Sequence, residues 1–323
     1  MGLQYLLALQ ELRESAGHIL TPFFLVVSDL AMTGSAVLCV AIFWCVDRGL
    51  GYWLISNSIS GLFFNNLAKL TACVYRPWIR FSELTPPDKA IKGATGYSFP
   101  SGHTQQAASF FGSGALSAYK RQNRVLPILC AAAIILTAFS RNYLGVHTLQ
   151  DVLAAIAASA VLVAANAFLF KKLREDPSLF NKVIAAGCII AVLSILYYAF
   201  KSYPMDYKDG ELIVDPARMK EDGYAASGAA LGILCGTFIE VRCVRFCTDG
   251  TIAEKVLRFI AGLPFIALLM TLIKEAVYSI TGRASGHVLI YAILGFYLTA
   301  VYPALFTAVK KRIKPASDPK PSD

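Results

Sequence analysis

The chain has 323 residues, 56% of them hydrophobic and 16% charged, with a mean hydropathy of +0.55. That balance excludes a surface made to face water and points to a membrane protein. The net charge of +9 is divided among short groups of Lys and Arg with no continuous basic patch, which argues against nucleic acid as a partner.

Residues 1–21 begin "MGLQYLLALQELRESAGHIL" and lack the basic start and cleavage site of a signal peptide. Glu11, Arg13 and Glu14 opposing Leu6, Leu9 and Leu12 predict a short interfacial helix. Apolar stretches long enough to cross a bilayer follow, each needing roughly 20 residues. They predict spans near 22–46, 51–75, 103–119, 125–146, 148–170, 182–200, 223–242, 256–279 and 287–309. The expected fold is therefore all-α, a polytopic transmembrane bundle of about nine helices.

Two polar connections interrupt the spans, 76–102 and 201–222, and the first has the length of a lid or an entrance wall. A break at "KKLREDPSLFNK" separates residues 22–170 from additional C-terminal spans over 180–310, expected to pack on the first part. The Pro/Ser/Asp-rich end, 311–323, is expected to be a flexible tail. The eight cysteines lie in or beside spans without zinc-site spacing, which predicts mostly reduced, buried thiols; Cys243 and Cys247 are candidate lipidation positions.

Positive loops stay in the cytoplasm. Arg48, Lys120/Arg121/Arg124, Lys171/Lys172/Arg174, Arg242/Arg245/Lys255/Arg258 and Lys310/Lys311/Arg312/Lys314 all fall on one side of the expected spans. The N-terminus is thus expected outside, the C-terminus in the cytoplasm, and the 76–102 loop at the outer face of the cell membrane.

Ionisable side chains inside a bilayer are costly and mark function. Three groups converge on the outer face: Lys69 with Arg76, Ser101-Gly102-His103, and Arg141 with His147 and Asp151. Three cations suit a phosphate dianion, and Ser101 and Gly102 at a helix start suit close approach of an anion to backbone N–H groups. His147 and Asp151, four apart, share a helix face, so the carboxylate can hold one imidazole nitrogen protonated while the other attacks. His103 then protonates the departing oxygen. The constellation describes phosphoryl transfer through a phosphohistidine, with neither metal nor cofactor expected.

Lys69-x6-Arg76-Pro77, Pro100-Ser101-Gly102-His103 and Ser140-Arg141-x5-His147-x3-Asp151 resemble the three-part signature of the type-2 phosphatidic acid phosphatase superfamily. The flanking stretches "FWCVDRGLGYWL" and "GATGYSFPSGHTQ" look like its bacterial membrane members. The resemblance implies phosphate binding by Lys69, Arg76, Ser101, Gly102 and Arg141, with His147 as nucleophile, Asp151 as its orienting partner and His103 as general acid. It implies a membrane lipid phosphate or diphosphate as substrate, a polyprenyl diphosphate, phosphatidate or phosphatidylglycerol phosphate, and no obligate protein partner. The nine-span layout is similar to that of glucose-6-phosphatases, which keeps a sugar phosphate open as substrate. A non-catalytic lipid transporter that kept the anion pocket is a further alternative, and the related vanadium haloperoxidases, which are soluble, fit the spans poorly. Asp29, Tyr97, Lys274, Arg283 and His287 are candidate rim residues. The second "SGH", Ser285-Gly286-His287, is expected to be a helix start.

Overall fold

The computed structural model describes residues 2–94, 96–208 and 210–313. It is helical throughout apart from a two-residue-per-strand hairpin pairing Tyr207–Lys208 with Glu211–Leu212. Helix α1 (Gly2–Ser15) precedes α2 (Thr21–Cys45), α3 (Arg48–Ala72), α4 (Gly102–Lys120), α5 (Val125–Tyr143), α6 (Leu149–Glu175) and α7 (Leu179–Phe200). Helices α8 (Pro216–Val244), α9 (Ile252–Thr281) and α10 (Arg283–Lys310) complete the chain. The helix that contains α10 runs on to Ile313, and the rest of the expected tail, 314–323, lies outside the described residues.

Among the described residues, seven of these helices, α2 and α5 to α10, are long and apolar enough to cross a membrane. The two other expected spans, α3 and α4, are continuous helices of 25 and 19 residues. Their hydropathy is lowered by polar side chains turned into the bundle: Asn57, Asn65 and Asn66 on α3, Gln105, Gln106, Ser109 and Ser113 on α4. Some of those groups bond between helices. Gln105 Nε2 donates to Ser159 Oγ on α6 at 2.8 Å, and Asn166 Nδ2 of α6 donates to Asn57 Oδ1 on α3 at 3.1 Å. Such side-chain bonds hold helices together where no hydrophobic effect operates between them.

Helix starts follow their capping residues. Asp47 accepts from Leu50 N at 2.9 Å, and Thr148 with Asp151, like Thr251 with Glu254, closes a reciprocal capping box. The chain alternates direction through α3, α4, α5 and α6. The C-terminal ends of α3 and α5 therefore meet the N-terminal ends of α4 and α6 at one end of the bundle.

Helix α1 differs from its expected amphipathic layout. Arg13, expected on the polar face, is buried and donates to Tyr143 O at 2.9 Å and Thr85 O at 2.7 Å, so α1 clamps the end of α5 to the long loop. Leu12, expected on the apolar face, is exposed instead.

Two contacts fix the C-terminal helices, one among themselves and one to the first six. Gly228, Gly232 and Gly236 recur every fourth residue on α8, and a Cβ at Gly228 or Gly232 would overlap the backbone of Val288 or Ala292 on α10. This close approach is the small-residue packing of membrane helices. At the other attachment, Glu240 is fully buried and accepts from Arg48 Nη1 at 3.0 Å, Tyr52 Oη at 2.5 Å and Phe246 N at 3.0 Å. Beside it Trp44, Phe43, Phe246, Tyr297 and Tyr302 form an aromatic cluster joining α2 to the extension.

Replacing Glu240 by Ala leaves the Tyr52 hydroxyl and the Phe246 N–H without an acceptor. At roughly 1–3 kcal/mol per orphaned buried group, Glu240→Ala should destabilise the protein by about 2–4 kcal/mol, read as a lower thermal midpoint of the purified full chain in detergent.

Candidate active site

The end of the bundle where α3, α4, α5 and α6 meet carries every residue of the three-part signature. Lys69 lies in the last turn of α3 and Arg76 just beyond it. Ser101 caps α4, Gly102 and His103 open it, Arg141 closes α5, and His147 and Asp151 straddle the start of α6.

His147 is almost wholly buried in the turn between α5 and α6. Its Nε2 lies 2.7 Å from Arg76 Nη1, and its Nδ1 lies 3.3 Å from Asp151 Oδ2. A guanidinium only donates, so the contact assigns Nε2 as the acceptor and places the imidazole proton on Nδ1, facing the carboxylate. Asp151 Oδ2 also receives Ser98 Oγ at 2.6 Å and Thr148 N at 2.8 Å, so this oxygen is fixed by three groups. Asn142 Nδ2 holds the His147 carbonyl at 2.9 Å. The ring therefore has its position, orientation and tautomer set by separate neighbours.

Arg76 is held by backbone carbonyls, donating to Gly96 O and Val146 O at 3.1 Å each. Burial pushes its guanidinium down to about 10, with the charge of Asp151 opposing the fall, so it stays protonated at neutral pH. Arg141 donates from Nη1 to Ser28 Oγ of α2 at 2.7 Å. Its Nε and Nη2 are buried without a hydrogen-bond partner among the described residues. Buried donors of that kind call for an acceptor, and an anion between Arg141 and Arg76 supplies one.

Lys69 Nζ approaches Tyr97 O at 3.4 Å and lies next to Gly102, where an added Cβ would stand 3.8 Å from it. Asn65 Nδ2 donates to Pro100 O at 3.2 Å, tying α3 to the loop ahead of α4. Ser101 is fully buried; its hydroxyl caps α4, 3.5 Å from Thr104 N and 3.0 Å from Thr104 Oγ1, and its N–H donates to Asp151 O at 3.1 Å. With Ser101 occupied, the N–H groups of Gly102 and His103, unpaired by helix geometry, are the backbone donors left for an anion. His103 sits within charge reach of Arg141, His147, Lys69 and Arg76.

The rim residues are distributed differently from the sequence expectation. Asp29 is exposed on α2, within charge reach of Arg141. Tyr97 does not wall an entrance: its ring is fully buried with Leu70, Tyr198, Val214, Met219 and Tyr224. Arg283 is bound to Glu221, Nε to Oε1 at 2.5 Å and Nη2 to Oε2 at 3.1 Å, and Lys274 Nζ lies 5.5 Å from the Tyr278 ring centroid. The second "SGH" lies inside α10, which begins at Arg283 rather than at His287. There His287 stacks on Tyr278, centroids 4.7 Å apart, and donates from Nδ1 to Arg283 O at 2.7 Å.

Sequence reasoning missed Ser98, Asn142 and Ser28. Thr148 was legible as the opening of a Thr-x-x-Asp capping pattern, whereas Ser28 comes from a distant helix and carries no local signal.

Comparison with known proteins decides what this arrangement belongs to. Residues 49–175, spanning all three signature motifs, match the profile of the PAP2 superfamily, and residues 224–314 match the PAP2 superfamily phosphatase, transmembrane extension. The chain belongs to the PAP2 superfamily. It is an all-α integral membrane phosphatase with that superfamily's transmembrane extension. No curated protein and no solved structure shows significant similarity to it.

Burial, then the charges of Arg76, Lys69 and Arg141, hold the His147 imidazole well below its ordinary value near 6.5. Native His147 should therefore stay neutral at pH 6, where a free histidine is mostly protonated. The unfolded chain takes up a proton that the native ring refuses, so this group's contribution makes stability fall as pH drops through 6.5. Imidazole ¹⁵N NMR of the substrate-free protein should show the Nδ1–H tautomer of His147 at pH 6, and a midpoint at or above 6.5 would contradict the assignment.

Proposed function

We propose that the protein is a metal-independent phosphatase that hydrolyses a membrane lipid phosphate or diphosphate through a phosphohistidine. Candidate substrates are a polyprenyl diphosphate, phosphatidate and phosphatidylglycerol phosphate. The observation that carries the reading is the state of His147: buried, its Nδ1–H on Asp151 and its Nε2 lone pair directed at Arg76. The unpaired donors of Arg141 support it.

In this reading the substrate phosphate enters among Lys69, Arg76, Arg141 and the N–H groups of Gly102 and His103. Its oxygens replace Nε2 as the partner of Arg76, which frees the nucleophile. Nε2 forms a bond to phosphorus while the bond to the leaving oxygen breaks, and His103 gives that oxygen its proton. Asp151 stabilises the positive charge that develops on the His147 ring. Water then attacks the phosphohistidine, His103 accepts its proton, and inorganic phosphate leaves with His147 restored.

The same reading places the site at the outer face. Arg48, Lys120, Arg121, Lys171 and Arg174 lie at the ends of α3, α4 and α6 opposite the signature residues, and loops rich in such cations remain cytoplasmic. The C-terminus is then cytoplasmic and the N-terminal helix lies at the outer interface.

The purified protein should release phosphate from a lipid phosphate in the presence of a chelator and be inhibited by vanadate. Activity abolished by the chelator and restored by a divalent ion would sink the mechanism. His147→Ala and His103→Ala should remove turnover almost entirely, and Arg141→Ala should lower kcat by about 10²–10³-fold, the usual cost of one donor to a developing oxyanion. Lipid movement that survives in His147→Ala, with no phosphate release from the unaltered protein, would favour transport instead.

A further inference from the structure

Helix α8 of the extension reaches the signature site with an acid. Met219 packs with Leu70, Tyr97 and Tyr198, and its side chain fills the space beside Gly96, where a Cβ would collide with Sδ. Gly223 faces Leu70 and Tyr198 so closely that a Cβ would stand 2.8 Å from each. Residues three and four apart share a helix face, so Asp222 lies between these two contacts on the side of α8 turned to the end of α3 and the loop before α4. Leu70 adjoins Lys69, and Tyr97 supplies the carbonyl that Lys69 approaches. The Asp222 carboxylate is accordingly within charge reach of Lys69, on one side, and of His287 on the other. It is solvent-accessible among these packed neighbours.

The two cations among the candidate rim residues are engaged elsewhere. Arg283 is gripped through two bonds by Glu221, and Lys274 sits over Tyr278. His287 Nε2 lies 3.6 Å from Glu221 as well. What the extension presents next to Lys69 is a carboxylate, that of Asp222.

We propose that Asp222 forms a leaving-group subsite that favours a phosphate monoester bearing hydroxyl or amino donors near the ester oxygen and disfavours a diphosphate. A carboxylate accepts hydrogen bonds from such donors, while a second phosphate beside it meets a like charge. The inference rests on the phosphatase reading and narrows its substrate class.

The test compares three substrates of one chain length, an alkyl monophosphate, a 2-hydroxyalkyl monophosphate and an alkyl diphosphate, with the full-length protein in mixed micelles. The unaltered enzyme should give the highest kcat/KM on the hydroxyalkyl monophosphate and the lowest on the diphosphate. Asp222→Asn should raise the diphosphate-to-monophosphate ratio of kcat/KM about tenfold and shrink the hydroxyl preference, whereas Asp222→Glu should keep the original ratios. Pyrophosphate should inhibit the unaltered enzyme less well than orthophosphate, with the gap closing in Asp222→Asn, a readout that survives low turnover. Ratios unchanged in Asp222→Asn, or all three substrates altered by one factor, would overturn the subsite and leave the phosphatase reading standing. No phosphate release from any of the three by the unaltered protein would overturn both.

Discussion

Three cations buried side by side at one end of a membrane bundle repel one another, and the surrounding structure is organised around that cost. Neutral groups help to anchor each of them. Arg76 rests on the carbonyls of Gly96 and Val146, Lys69 approaches that of Tyr97, and Arg141 takes a serine from α2. Asp151 is the acid built into the centre of the signature, and its Oδ2 is already shared among His147, Ser98 and Thr148. Under the proposed function the site is thus preorganised for a dianion: positive charge is held in place before the ligand arrives, and little rearrangement is needed when it does.

That arrangement also explains why two of the four helices that meet at the site, α3 and α4, are the least lipid-like. Helices α3 and α4 must bring Lys69 and the Ser101-Gly102-His103 turn together inside the bundle. They are therefore surrounded by other helices and lined with Asn, Gln and Ser that bond across to α6. The apolar demand of the bilayer falls instead on α2 and on α5 to α10. A hydropathy pattern records lipid contact, whereas α3 and α4 are read from their polar residues and their spacing.

The same distinction accounts for what was legible in the sequence. The helical spans, the polar loops and the signature residues are patterns in one dimension, set by bilayer thickness and by the four-residue repeat of His147 and Asp151. The neighbours that fix those residues are not. Ser28 and Asn142 act through single hydrogen bonds, one from a helix distant in sequence. Arg13 has the look of a polar-face residue until two carbonyls of other segments claim it. Arg283 is a candidate rim residue by its sequence, yet Glu221 on another helix holds it. The spacing of Gly228, Gly232 and Gly236 was open to reading as a packing face, but which helix it receives follows only from the fold.

Helix α8 gives the extension a structural reason to exist. Its end at Glu240 is bonded to Arg48 and Tyr52 at the start of α3, and its opposite end sets Met219 and Asp222 against the finish of α3. From Asp222 to Glu240 is roughly 27 Å of helix at 1.5 Å per residue, close to the hydrocarbon thickness of a bilayer. One rigid rod is therefore fixed to α3 at both of its ends, and the close glycine contact with α10 stiffens it along its length. A loop added to the mouth of the site would have to be ordered each time a substrate binds. A rod locked to α3 holds its side chains in place beforehand, so under the proposed subsite a charge at position 222 would act on what enters beside Lys69 without that entropic cost.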